Sequence, residues 1–149
     1  MRLPGFQFQE SMSGTYTLTG AADAPRRISF TSRVTAPDAL RHLRDGMAEL
    51  SGTIEMEGFA DDVPLAGTIE ISPLRKRLIR YEFSFVGNDG RPYRFAGRKD
   101  IRLLDLVGSF TNLPATLYDQ AGKEIGQVRV KFDLRSDLLP MLVSFRRAC

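Results

Sequence analysis

Two residues of opposite charge stand where the side chains are otherwise apolar. Near the N-terminus Phe6, Phe8, Glu10, Met12, Gly14, Tyr16 and Leu18 alternate with Gln7, Gln9, Ser11, Ser13, Thr15 and Thr17. Alternation with a period of two gives a strand one dry face and one wet face, and Glu10 falls on the dry one. Further along, Tyr93, Phe95, Gly97, Lys99 and Ile101 share a second dry face that carries Lys99. A carboxylate or an ammonium on such a face is costly unless it is paired or used, so the two are expected to meet. Two chemistries follow. They form a buried ion pair that fixes strand register, or they face a cavity as polar anchors, with Lys99 holding the carboxylate of a ligand and Glu10 orienting the ammonium. Tyr81 and Phe83 on one inner face, and Tyr93 and Phe95 on the next, would add hydroxyls and apolar walls, the usual make-up of a small-molecule site. Glu10 as the general base of an enzyme is the weakest reading, because a lysine beside it works against that role.

Other chemistry has little to stand on. His42 is the single histidine, set between Arg41 and Leu43, and Cys149 is the single cysteine and the last residue. No Ser-His-Asp or Cys-His arrangement can be assembled from them, so no catalytic residue is assigned. Asp61, Asp62 and Asp100 are acids at turns without a Cys/His ligand set, and no glycine-rich phosphate fingerprint occurs, so neither a metal nor a cofactor is expected. Arg75, Lys76 and Arg77, followed by Arg80, form a basic run at a strand turn. The aromatic residues lie on inner faces rather than among these charges, and a nucleic-acid partner is not expected. With 21 basic against 18 acidic side chains the net charge is only +3. No apolar run approaches the roughly 20 residues of a membrane-spanning helix. MRLPGFQFQE lacks a hydrophobic signal core, and a lone cysteine suits a reducing compartment; a cytoplasmic location without integral membrane association is expected.

The elements that must position these residues read as one domain over 1–149. After the first strand, Ile28, Phe30, Ser32 and Val34 face inward from a second. Pro37 opens a short helix through Asp45. A third strand turns Leu50, Gly52, Ile54 and Met56 inward, FADDVP reads as a turn, and a fourth carries Val63, Leu65, Gly67, Ile69 and Ile71. Ile79, Tyr81, Phe83 and Phe85 belong to a fifth strand, and the hairpin signal NDGR leads to the sixth. Residues 103–108 are ambiguous between a helical turn and a loop. A seventh strand over Thr111–Tyr118 contains Pro114, which argues for an edge or a bulge, and an eighth carries Gly126, Val128, Val130 and Phe132. A C-terminal helix over Ser136–Arg147 closes the chain. Eight sequential antiparallel strands with tight turns predict an all-β meander barrel, lipocalin- or calycin-like. Inward glycines at positions 14, 52, 67, 97 and 126 suit it, because they let strands coil or leave interior space.

The segments YEFSFVGNDGRPYRFAGRKDIR and ATLYDQAGKEIGQVRVKFDLRSDLLPMLVSFR, with FQESMSG near the N-terminus, resemble an accessory β-rich module of bacterial glucose–methanol–choline (cholesterol-oxidase-like) flavin oxidoreductases. The likeness reaches both ends of the chain and is loose in the middle. The flavin-binding and catalytic parts of those enzymes are missing here, so the resemblance implies a stand-alone accessory barrel without oxidoreductase activity. It also makes a lipid- or sterol-like ligand more plausible. The expected function is therefore non-catalytic binding of a small lipophilic molecule by Glu10, Lys99, Tyr81, Phe83, Tyr93 and Phe95. The alternative is a solid-core interaction module that docks a partner protein such as a flavin oxidoreductase.

Overall fold

The computed structural model describes residues 6–20, 24–36, 45–72, 75–102, 104 and 111–132. Period-two alternation becomes eight strands: β1 (Phe6–Leu18), β2 (Arg26–Ala36), β3 (Met47–Met56), β4 (Ala60–Ser72), β5 (Leu78–Val86), β6 (Pro92–Asp100), β7 (Asn112–Tyr118) and β8 (Glu124–Phe132). Each pairs antiparallel with the next, and β8 pairs back onto β1 to close a barrel. The helices expected over 37–45 and 136–147 lie outside the described residues, apart from Asp45, whose carboxylate accepts the Met47 N–H at 2.8 Å. The ambiguous stretch 103–108 also lies outside them, apart from Leu104.

One expected turn is displaced. FADDVP is not the turn; β4 already begins at Ala60, and the reversal is made by residues 57–59 around Gly58, whose φ of 75° is open to glycine at no steric cost. The two aspartates are absorbed into β4 as an irregularity opposite Ile54–Met56, with Asp62 at φ 49°. Aspartate tolerates that left-handed conformation better than most side chains, which is how a turn-like sequence sits inside a strand.

The inward glycines serve close approach between strands. A Cβ built on Gly14 would lie 1.9 Å from the Arg129 carbonyl oxygen, on Gly52 1.9 Å from that of Thr31, and on Gly67 2.0 Å from that of Glu82. Neighbouring backbone occupies the space that a side chain would need, so these positions let the sheet coil tightly enough to close.

The barrel has two unlike ends. At one, tight turns join β3 to β4, β5 to β6 and β7 to β8, and aromatic rings pack beneath them: Phe59 lies 4.7 Å from Tyr93 and 6.3 Å from Phe85 between ring centroids. The Tyr16 hydroxyl donates to the Glu57 carbonyl there. At mid-height Phe83 and Phe95 stack with centroids 4.4 Å apart and planes 9° apart, and Phe30 meets both edge-on. Burial of these rings with Met12, Ile54, Leu65 and Leu117 is the main force holding the wall together. At the other end, here called the mouth, lie the first residues of β1, β3, β5 and β7 and the last of β2, β4, β6 and β8. The connections from β2 to β3, β4 to β5 and β6 to β7 start from it.

Outside, the charges are paired across strands. Glu70 on β4 meets Lys76 at 2.8 Å and Arg80 at 3.9 Å, and the hydrogen bond from Lys76 holds its carboxyl below the ordinary value. Arg94 pairs with Glu82 at 2.8 Å and covers the Tyr118 ring at 4.6 Å. Arg75, Lys76 and Arg77 are exposed at the β4–β5 turn.

Candidate functional site

Strand alternation turns Glu10 on β1, Tyr81 on β5 and Lys99 on β6 inward near the mouth, where they are 5%, 1% and 4% exposed. In a closed ring of eight strands β1 and β5 lie on opposite sides of the lumen. The Tyr81 hydroxyl nevertheless donates to Glu10 Oε1 at 2.6 Å, so the phenol crosses the interior. The same hydroxyl accepts a hydrogen bond from Lys99 Nζ at 3.1 Å, and the ammonium lies 5.1 Å from the Tyr81 ring centroid. The expected meeting of Glu10 and Lys99 thus runs through a third residue: among the described residues, Tyr81 is the bridge between the two charges.

Bridging leaves capacity unspent. Lys99 has three donors and one acceptor in reach among the described residues; Glu10 Oε2 has no hydrogen-bond partner among them. Ser32 faces Glu10 across the β1–β2 ladder, is 1% exposed, and its Oγ has no hydrogen-bond partner among the described residues. Buried polar atoms without partners are rare, and each calls for an explanation such as a water or a ligand. Ser32 was not singled out from sequence. The signal was present all the same, since a serine on the dry face of β2 is as much a misfit as Glu10.

Burial governs the electrostatics. It pushes the Lys99 ammonium below its ordinary value, with the Glu10 charge acting in the opposite direction. It also pushes the Tyr81 phenol well above 10, helped by the charge and hydrogen bond of Glu10. Tyr81 therefore keeps its proton in the folded state when the unfolded chain would lose it, and its contribution to stability is present below pH 10 and falls away above it. Lys99 runs the other way. Between its lowered folded value and the ordinary 10.5 the unfolded chain holds the extra proton, so stability rises with pH through that window. Ultraviolet titration is expected to find Tyr81 silent until the barrel unfolds, and Tyr81→Phe is expected to reduce the loss of stability above pH 10. An unchanged alkaline profile in that variant would contradict the buried bridge.

The remaining expected residues take other places. Phe83 and Phe95 lie deeper in the lumen than Tyr81 and Lys99 and stack on each other, so they form a floor under the polar bridge. Tyr93 is not part of the site. It is half-buried at the tight-turn end, where its hydroxyl donates to Asp89; that hydrogen bond raises the phenol and lowers the carboxyl.

Among the described residues, the pairing of β6 with β7 does not reach Lys99. The β6–β7 ladder runs only from Arg94–Gly97 against Ala115–Tyr118, the shortest in the barrel. It stops one residue short of Pro114, which has no N–H to contribute; β7 is nevertheless no edge strand, since it pairs with both β6 and β8, and its irregularity lies at Leu117–Tyr118 rather than at the proline. Above that point a groove of about 690 Å³ runs over β6, β7, β8 and β1; its wall includes Lys99, Leu113, Arg129 and Lys131. That volume falls in the range of small-molecule clefts. Among the described residues no cluster of His, Cys, Asp or Glu could hold a metal, and no helix is long and apolar enough to cross a membrane. Compared with protein-family models, curated proteins and solved structures, the chain matches none.

Proposed function

We propose that this barrel is a lipocalin-like, non-catalytic binder of a small lipophilic molecule, whose polar end meets Glu10, Tyr81, Lys99 and Ser32 at the mouth. One observation carries the reading: buried polar groups near the mouth of an otherwise apolar lumen keep unspent hydrogen-bonding capacity among the described residues, with donors at Lys99 and Ser32 and an acceptor at Glu10. A ligand end that both donates and accepts would satisfy them, while the Phe83–Phe95 stack limits how deep it sits. The sequence resemblance to an accessory module of flavin oxidoreductases fits a carrier working beside enzymes of lipophiles, in the cytoplasm.

The filled middle of the barrel, where Phe30, Phe83 and Phe95 pack ring on ring, favours a second reading. In it the polar bridge only braces the wall, and the outer surface docks a partner protein such as a flavin oxidoreductase. Native mass spectrometry of freshly purified protein, followed by denaturing extraction, separates the two. A stoichiometric lipophile that Lys99→Met no longer retains is the expected result. A bare mass, unchanged after incubation with a mixed lipid extract, would overturn ligand binding in favour of docking.

A further inference from the structure

The charges of Glu10 and Lys99 already balance one another. A ligand carboxylate would bring a second negative charge into a low-dielectric lumen and leave a net charge buried there, which is expensive. A neutral polar end avoids that cost. Among neutral ends, a carbonyl can do more at this site than accept a hydrogen bond, because it faces a primary amine with a proton path behind it. Lys99 Nζ lies 3.1 Å from the Tyr81 hydroxyl, and that hydroxyl lies 2.6 Å from Glu10 Oε1. The ladder stops two residues before Lys99, and Lys99 is among the residues that line the groove there.

We propose that Lys99 captures a lipophilic aldehyde as an imine, with Tyr81 and Glu10 passing the proton that the reaction needs. This rests on the ligand-binding reading of the same site and names the chemical class of the ligand. The Lys99 ammonium gives one proton through Tyr81 to Glu10, and the freed amine adds to the carbonyl carbon, forming the C–N bond and opening the C=O π bond. A second proton moves from nitrogen to the new alkoxide. The proton held by Glu10 then returns through Tyr81 to that hydroxyl, which leaves as water while the nitrogen lone pair forms C=N. Aldehyde and ammonium become protonated imine and water, with nothing oxidised or reduced, and the imine's positive charge again faces the Glu10 carboxylate. Desolvation, which favours the neutral amine of Lys99, is the usual means of making a lysine nucleophilic near neutral pH.

The chain contains four lysines, and Lys76, Lys123 and Lys131 are exposed, so they serve as internal controls. The full chain would be incubated with decanal and cyanoborohydride at about pH 7.5, where an ordinary lysine is almost wholly protonated, then digested and mapped by mass. Lys99 is expected to be alkylated at least about tenfold faster than any other lysine. Tyr81→Phe, which keeps the ring and removes the relaying hydroxyl, is expected to slow Lys99 alone by about tenfold or more and to shift its pH–rate profile. Labelling at Lys99 no faster than at the exposed lysines overturns the proposal, and an unchanged rate and profile in folded Tyr81→Phe overturns the relay. Decanol, the same chain without a carbonyl, separates this failure from the broader one. Decanol retained in native mass spectrometry with Lys99 unlabelled refutes only the imine; neither retention nor labelling refutes both.

Discussion

Glu10→Ala is expected to lower the free energy of unfolding by about 3–5 kcal/mol, the usual cost of removing one partner from a buried charged pair. The loss of contacts at Glu10 is the smaller part. The larger part is what stays behind: an ammonium and a phenolic hydroxyl, 4% and 1% exposed, that have lost the carboxylate balancing them. The decisive comparison is therefore with a variant that removes the whole bridge. Glu10→Leu, Tyr81→Phe and Lys99→Met together leave no stranded polar group except Ser32, and replacing a buried pair by apolar side chains of similar size is often neutral or stabilising. Urea unfolding is expected to place this triple variant within about 1 kcal/mol of the parent. Additive losses, or a Glu10→Ala variant as stable as the parent, would show that the three residues do not act as a unit.

Gly67→Ala is the second large effect, expected to cost at least about 3 kcal/mol or to prevent folding. Its Cβ would stand 2.0 Å from the Glu82 carbonyl oxygen and 2.5 Å from the Phe83 Cα. Both are backbone atoms of β5, so no side chain can move aside, and relief requires β4 and β5 to separate. Gly90→Ala is the control. It has nothing within 4 Å of its Cβ and a φ of 78°, so it carries only the conformational penalty, about 1 kcal/mol. Thermal or urea denaturation distinguishes them, and equal losses at the two positions would contradict the assignment of Gly67 to strand coiling.

The strands were legible because alternation survives along each of them, and a residue such as Glu10 stands out only against that regular background. Closure was legible from the inward glycines, although their reason was ambiguous: sequence allows coiling or empty space, and only the carbonyl oxygens facing positions 14, 52 and 67 distinguish them. FADDVP misled because aspartates and a proline are turn residues by local chemistry, whereas the sheet absorbed the aspartates as an irregularity and turned at Gly58. At the site, alternation could say that Glu10, Tyr81 and Lys99 face inward but not that a phenol on β5 spans the lumen to β1. That depends on the barrel's diameter and the stagger of its strands, which arise from pairing between distant segments. Tyr93 shows the converse limit. It shares a face with Lys99, yet it sits six residues away along β6 and belongs to the opposite end of the molecule.

Tyr81 holds Glu10 and Lys99 across the lumen, and on the proposed reading a ligand reaches that bridge. Side-chain NMR of the Tyr81 hydroxyl proton and the Lys99 Nζ group, recorded with and without decanol, tests it most directly. A slowly exchanging Tyr81 hydroxyl proton that disappears in Glu10→Leu, and a saturable shift of both signals when decanol is added, are the expected results. A hydroxyl proton that exchanges freely with water, or signals that decanol leaves unmoved, would contradict it.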